Sequence, residues 1–276
     1  MSVGTRHVEL NALFGFAERQ LHVVKRYWVW EVVWLFYSLV SVLSIGFLAS
    51  GLGTLGGGSF DLRKAQLYLL VGALLWGYLS LVFMEAAYAI AWERWEGTIE
   101  YTFMAPIRRI THLFGICLFA IAYGLARTFV VLVIAIAMFN LDFSHADIPA
   151  ALAVLAASTV PLIGLAIFTS VLPLLSPQKG EQMSVAVQGF LLLVSGVYYP
   201  LSVLPLPMQL AGAVSPLTYA LQGIRDSLLD GKGLQGELPT IGILLAMGAV
   251  MIPASLWVFS WAENRAKRLG LLKRSG

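Results

Sequence analysis

Long apolar runs alternate with short polar connections along most of this chain. A membrane-spanning helix needs about 20 consecutive apolar residues, and six runs approach or exceed that length. Pro161 and Pro173 should kink or shorten the fourth run, and the fifth should end irregularly at Tyr198-Tyr199-Pro200. The pattern predicts an all-α membrane protein with six transmembrane helices. These lie near 30–50, 66–91, 113–139, 148–175, 185–204 and 239–261.

A short stretch of charged and aromatic residues at 92–106, here called the polar island, separates the second and third runs. Trp95, Ile99 and Phe103 recur at helical spacing, and Pro106 would stop the helix. The pattern predicts a helix that lies across the membrane surface and offers a face to a soluble partner. A solvated loop between two spans is the alternative.

The segment before the first run, residues 1–27, also has helical periodicity. Apolar residues recur every three or four positions, with charged residues between them, which is typical of an amphipathic helix lying in the headgroup layer. The alternative is a short soluble cap helix. Charges interrupt the segment too often for a cleavable signal peptide, so the first span should remain in the mature protein. The apolar positions are Leu10, Leu13, Phe14, Ala17, Leu21 and Val24.

Composition and charge support a membrane protein and predict its orientation. The chain of 276 residues is 59% hydrophobic and 12% charged, whereas a soluble domain carries roughly 25% charge. With six spans, 13 Lys and Arg residues fall on the side of both termini and only 4 on the other. The positive-inside rule therefore predicts cytoplasmic termini and a cytoplasmic polar island in a multi-pass cell membrane protein. Residues 28–261 would form the membrane domain, and 262–276 a basic cytoplasmic tail.

Motifs for catalysis are missing from the sequence. No Lys is followed by Ser or Thr, so the phosphate-binding loop of ATPases is absent and ATP hydrolysis must come from a partner. The four histidines are scattered, and the single Cys117 lies within an apolar run, so we expect no metal site and no cofactor on this chain. The sequence therefore predicts that the chain is not itself an enzyme.

Two ionisable residues, Glu85 and Arg127, fall inside predicted spans. Charges are costly in a bilayer, so both are candidate functional residues. Their predicted depths differ by roughly 10 Å at 1.5 Å per residue, so an ion pair would require tilting and extended side chains. Separate neutralising neighbours, or exposure to the translocation path, are the alternatives.

Three motifs in order resemble those of permeases of the ABC-2 type exporter family, and the resemblance covers nearly the whole chain. The family pattern Glu-Arg-x-x-Gly-Thr-hydrophobic-Glu with a downstream Pro matches the polar island. The other two motifs follow the fifth predicted span. The matching stretches are Glu93 to Glu100 with Met104-Ala105-Pro106, Ser195 to Pro205, and Ser215 to Ala220 with Gly223-Ile224-Arg225.

This resemblance implies roles for two segments. The polar island would be a coupling helix that contacts a cytoplasmic ATPase subunit, and 198–225 would be a re-entrant helical hairpin, here called the exit hairpin. The implied ATPase-docking residues are Glu93, Arg94, Glu96, Gly97, Thr98 and Glu100. The implied gate residues are Tyr198, Tyr199, Pro200 and Pro205.

The resemblance further implies two ATPase subunits, which would hold ATP and Mg, and a second permease copy or a sister permease. The amphipathic start resembles the branch that exports drugs and lipids, so we expect an amphiphilic substrate to leave the cytoplasm or the inner leaflet. A polysaccharide or glycolipid exporter is the alternative. An ion-coupled carrier or a membrane scaffold is a rival from another class, although paired intramembrane carboxylates and mirrored halves are not visible in the sequence.

Overall fold

A computed structural model describes residues 3–55, 62–105, 107–141, 143–176 and 178–271. All regular structure in these ranges is helical, as the sequence predicts for an all-α membrane protein. A 3-10 turn at Leu201–Val203 separates two of the helices. The α-helices are α1 (Val3–Arg26), α2 (Trp28–Leu55), α3 (Leu62–Trp95), α4 (Ile99–Met104), α5 (Arg109–Phe139), α6 (Ile148–Leu175), α7 (Gly180–Val194), α8 (Leu206–Val214), α9 (Pro216–Leu229) and α10 (Leu234–Arg268).

Five of these helices, α2, α3, α5, α6 and α10, are long and apolar enough to cross a membrane. The fifth predicted span, 185–204, differs from the structure. Helix α7 begins earlier and ends at Val194 after 15 residues, which is about 22 Å at 1.5 Å per residue and shorter than a bilayer core of about 30 Å. Gly196 ends the run because its φ of 71° is a left-handed conformation.

Helix α6 lies at the centre of the bundle and contacts α3, α7, α9 and α10. It continues unbroken through Pro161 and Pro173, so the expected shortening does not occur. Glycines allow α6 and α10 to approach closely: a Cβ at Gly164 would lie 2.9 Å from Met251 Cβ, and one at Gly248 would lie 2.6 Å from Val160 Cγ1.

Helix α1 packs along the start of α5. A Cβ at Gly115 would lie 2.8 Å from the Leu13 carbonyl oxygen, so a larger residue would push α1 away. The other face of α1 exposes large apolar side chains, Leu10 at 54% and Phe14 at 63%. An amphipathic helix that buries one face against protein and exposes apolar groups on another is suited to the headgroup layer.

Helices α8 and α9 fall within and just beyond residues 198–225, the predicted exit hairpin. Leu217, at the start of α9, packs in a buried cluster with Leu79 and Val82 of α3. Beyond the other end of α9, Asp230 pairs with Lys64 near the start of α3, at 2.8 Å. The 15 residues between Lys64 and Leu79 correspond to about 22 Å along α3. Helix α9 therefore runs from near the middle of α3 to its first turn.

Candidate functional site

The polar island folds as the end of α3 followed by the short helix α4, not as one helix over 92–106. Gly97 has a φ of 73°, and its N–H donates to the Arg94 carbonyl at 3.2 Å. The Thr98 N–H donates to the Glu93 carbonyl at 2.8 Å. These two bonds form a Schellman cap, which ends a helix at a left-handed glycine. Helix α4 then begins directly after Thr98, and Pro106 lies outside the described residues.

Glu93, the first acid of the family motif, is buried inside the protein with 3% exposure. Its Oε1 lies 3.0 Å from Arg19 Nη1 of α1 and 2.9 Å from His112 Nε2 of α5. Burial alone would raise the pKa of this carboxyl, but the hydrogen bond with His112 and the charges of His112 and Arg19 lower it overall. Glu93 thus holds α1, α3 and α5 together and does not reach the surface.

Arg94 is also buried, with 2% exposure. Its guanidinium donates to the carbonyl oxygens of Pro173 at 3.0 Å and Leu271 at 3.1 Å, and lies 3.5 Å from that of Leu174. The end of α6 and the segment after α10 are therefore fixed to the island. Because their side chains are buried in internal contacts, Glu93 and Arg94 do not fit the docking role that the resemblance implied for them.

The remaining acids of the island lie on its outer surface. Glu100 is exposed, and Glu96 is about one third exposed while pairing with Arg19 at 3.2 Å. Between and beside them are large exposed side chains: Trp95 at 63%, Tyr101 at 78% and Met104 at 81%. We call these five residues the outer face of the island.

The predicted apolar stripe of Trp95, Ile99 and Phe103 is not a single face. Trp95 is exposed, Ile99 is fully buried, and Phe103 is partly buried in the same cluster as Ile99. The Schellman cap interrupts the helical register between Trp95 and Ile99, so the spacing no longer places them side by side. Ile99 and Phe103 instead attach α4 to the bundle.

The second and third family motifs meet at Arg225 of α9, which is buried. Its guanidinium donates to the carbonyls of Gly196, at 2.9 Å, and Val197, and lies 3.6 Å from the Tyr68 ring centroid. A Cβ at Gly72 would lie 2.4 Å from Arg225 Nη2 and 2.2 Å from the Val197 oxygen. Arg225 and the space provided by Gly72 therefore hold the segment after α7 against both α3 and α9.

A second bond joins the same motifs, because the hydroxyls of Ser195 and Ser215 lie 2.9 Å apart and both residues are buried. This bond connects the end of α7 to the junction between α8 and α9. The spacing of the motifs in the sequence suggested no such contact.

The predicted gate residues begin the exit hairpin. Tyr198 packs against the buried clusters around α3, and the Tyr199 hydroxyl donates to the Leu193 carbonyl at 2.6 Å. Pro200 and Pro205 are exposed and extended, and they precede the 3-10 turn and α8 respectively. Because proline lacks an N–H and its φ is fixed, these two residues favour the extended joints of the hairpin.

Glu85 and Arg127 form no ion pair in the part of the chain that the structure describes. The Arg127 guanidinium instead donates to the Trp34 carbonyl and the Ser38 hydroxyl of α2. Arg127 therefore contacts neutral groups on α2 and not Glu85. Within the described ranges, no three His, Cys, Asp or Glu side chains are grouped as metal ligands would be.

Five apolar helices of spanning length, in the part of the chain that the structure describes, indicate a multi-pass helical membrane protein. A family model described as ABC-2 type transporter matches residues 12–229, from α1 to the end of α9. The chain belongs to the ABC-2 type transporter family and is an ABC exporter permease, whose domain is for transport and not catalysis. No curated protein matches it.

Proposed function

We propose that this permease exports an amphiphilic, drug-like or lipid-like molecule, driven by two separate ATPase subunits that dock on the outer face of the island. The missing phosphate loop supports the need for a separate ATPase. In this proposal ATP and Mg bind to the partner, and two permease copies, or this chain and a sister permease, enclose the path.

The observation that carries the docking proposal is the contrast between the two sides of the island. Its inner side is buried through Glu93, Arg94 and Ile99, while Trp95 and Tyr101 project outward beside acids. Exposed aromatic and Met side chains with charges at the rim have the composition of a protein interface. If only water surrounded them, exposing such large apolar side chains would not stabilise the protein.

The buried contacts give this surface the stiffness that mechanical coupling requires. Glu93 ties the island to α1 and α5, and Arg94 ties it to α6. An ATPase that moved the outer face would therefore displace α1, α5 and α6 with it. A loosely attached loop would absorb the movement instead.

The excess of Lys and Arg on the side of the island and both termini supports a cytoplasmic position for all three. We propose a plasma or inner membrane location on this basis. The exit hairpin, which enters from the opposite end, would then close the path towards the outside.

The exposed surface of α7 favours an amphiphile as substrate. It carries Met183, Val185, Phe190 and Leu193, which suit an acyl chain or a drug scaffold. A polysaccharide exporter, the second candidate, should offer successive aromatic rings for sugars to stack on, and α7 contains one ring, that of Phe190. On α7 this comparison supports the lipid or drug proposal, whereas α2 exposes the rings of Trp30, Trp34 and Tyr37.

Reconstitution of the permease, together with the ATPase that co-purifies with it, tests the proposal. Vesicles carry a fluorescent phospholipid probe and ATP but no ion gradient. We expect ATP-dependent movement of the probe between leaflets. Movement that needs an ion gradient and ignores ATP would support a carrier, while ATPase activity stimulated only by a polysaccharide would support the second candidate.

A further inference from the structure

Arg109, the first residue of α5, lies between α4 and α10. Its guanidinium donates to the carbonyls of Thr102 and Phe103 in the last turn of α4, and lies 4.4 Å from the Phe103 ring centroid. Its Nε donates to Glu263 Oε1 of α10 at 3.2 Å. Arg109 is 20% exposed and Glu263 10%.

This geometry uses all three nitrogens of the Arg109 guanidinium. The last carbonyls of a helix lack partners within the helix and lie at its negative end, so a cation there satisfies and stabilises them. A guanidinium has five N–H donors in a rigid fork and can serve two carbonyls and a carboxylate together. The shorter ammonium of a lysine would lose at least one of these contacts.

Apolar packing joins the same two helices. Ile99 and Phe103 of α4 share a cluster with Phe259, Ala262 and Ala266 of α10. Directly beyond α10, the Leu271 carbonyl accepts the bond from Arg94. Helix α4 and the last turns of α10 are thus joined by packing and through Arg109, while Arg94 holds the segment after α10 to the end of α3.

The other end of α10 contacts the exit hairpin. Glu237, in the first turn of α10, is fully buried, and a Cβ at Gly223 of α9 would lie 2.9 Å from its Oε2. Lys232 approaches Glu237 Oε1 at 2.8 Å. The 26 residues from Glu237 to Glu263 span about 39 Å of helix. One continuous helix therefore connects the contacts of α4 with those of α9.

We propose that α10 transmits the movement of α4 to the exit hairpin, with Arg109 and Glu263 as the positioning residues that couple α4 to α10. This inference rests on the proposed function, because α4 carries part of the docking face. Closure of the ATPase subunits displaces α4, Arg109 passes the displacement to Glu263, and α10 shifts α9 through the Glu237–Gly223 contact. Helix α10 is then a working part of the transporter as well as a membrane anchor.

Hydrogen–deuterium exchange on the permease–ATPase complex in vesicles tests this link, with and without trapping by ATP and orthovanadate. In the wild type we expect trapping to change deuterium uptake in α4, in residues 259–268 and in α9. In Glu263→Gln the change in α4 should remain, while that in α9 should be largely lost. Arg109→Lys should show the same pattern to a lesser extent.

Lys267→Gln is the matched control, because Lys267 pairs with the same Glu263 carboxylate from the exposed side at 2.7 Å. It should respond like the wild type. An α9 response in Glu263→Gln equal to that of the wild type, or no α9 response in the wild type complex, would overturn the link. Failure of the wild type to bind an ATPase would instead overturn the proposed function. Binding of the ATPase and deuterium uptake in α9 are measured separately, so the two outcomes can be distinguished.

Discussion

Replacing Arg94 by Met should destabilise the permease without removing any group from its outer face. Met keeps an unbranched apolar stem but has no donors, so the bonds from Arg94 to the Pro173 and Leu271 carbonyls are lost in a site that is 2% exposed. Hydrogen bonds from a charged donor contribute about 1.5 to 3 kcal/mol each. These values are net of the solvation that the guanidinium loses on folding.

The net loss should be about 3 kcal/mol, the lower end of the range for two such bonds. At about 2–4 °C per kcal/mol for a chain of this size, the unfolding midpoint should fall by roughly 6 to 12 °C. Thermal unfolding of the purified permease in detergent measures this directly. The control is Glu100→Gln, which changes an exposed acid six residues away and should shift the free energy of unfolding by no more than about 0.5 kcal/mol.

The opposite pattern would refute our assignment of the two sides of the island. If Arg94→Met unfolds at the wild-type temperature but no longer binds the ATPase, Arg94 contacts the partner and is not an internal anchor. If Glu100→Gln lowers the unfolding midpoint more than Arg94→Met does, Glu100 is not the exposed acid that the structure describes.

Three further predictions concern other contacts. Gly97→Ala places a Cβ at a φ of 73° and should cost about 1–2 kcal/mol, measured by denaturant unfolding; an unchanged midpoint would contradict the cap. The pKa of Glu93 is lowered on folding from its ordinary 4.5. The contribution of its ionised carboxylate to stability is therefore present above pH 4.5 and is lost as pH falls through the pKa of the folded state. Glu93→Gln should flatten that loss in unfolding measured against pH, and an unaltered profile would contradict it. Gly72→Ala forces a Cβ to 2.4 Å from Arg225 Nη2 and should lower both stability and probe transport, while Gly77→Ala, with nothing within 4 Å, should not.

Much of the fold could be predicted from the sequence because a helix must be long enough to cross the bilayer, which sets a minimum length for each apolar run. Five of six predicted spans have counterparts among helices of spanning length. The fifth was predicted too far along the chain because hydrophobicity continues past Val194 while the backbone turns at Gly196. The hydropathy of a segment indicates whether it favours an apolar environment. It contains no information on backbone torsion angles, so it could not locate the end of α7.

The two sides of the polar island were harder to predict. Charged residues in a polar stretch are normally solvated, and nothing local distinguishes Glu93 from Glu96 or Glu100. Their difference arises from Arg19 and His112, which are far away in sequence, and from the end of α6. Only Gly97-Thr98 carried a local signal, because a glycine before an N-cap residue indicates a helix end followed by a helix start.

Arg109 and Arg225 show the same limit. In the sequence, Arg109 is one of the charges on the predicted cytoplasmic side and Arg225 ends a family motif, and neither side chain has an evident role. Each contacts accepting groups that are distant in the sequence, namely Glu263 of α10 for Arg109 and the Gly196 carbonyl, just after α7, for Arg225. Such long-range partners are determined by packing and leave no local pattern.

Co-purification of the ATPase with acid-to-lysine variants tests the central claim most directly. The double variant Glu96→Lys with Glu100→Lys reverses the charge of the outer face, whereas Asp230→Lys makes the same kind of change at the far end of the bundle, where the acid is 54% exposed. We predict that the double variant loses the ATPase and that Asp230→Lys retains it at the wild-type ratio. Full retention by the double variant would contradict docking on the outer face of the island.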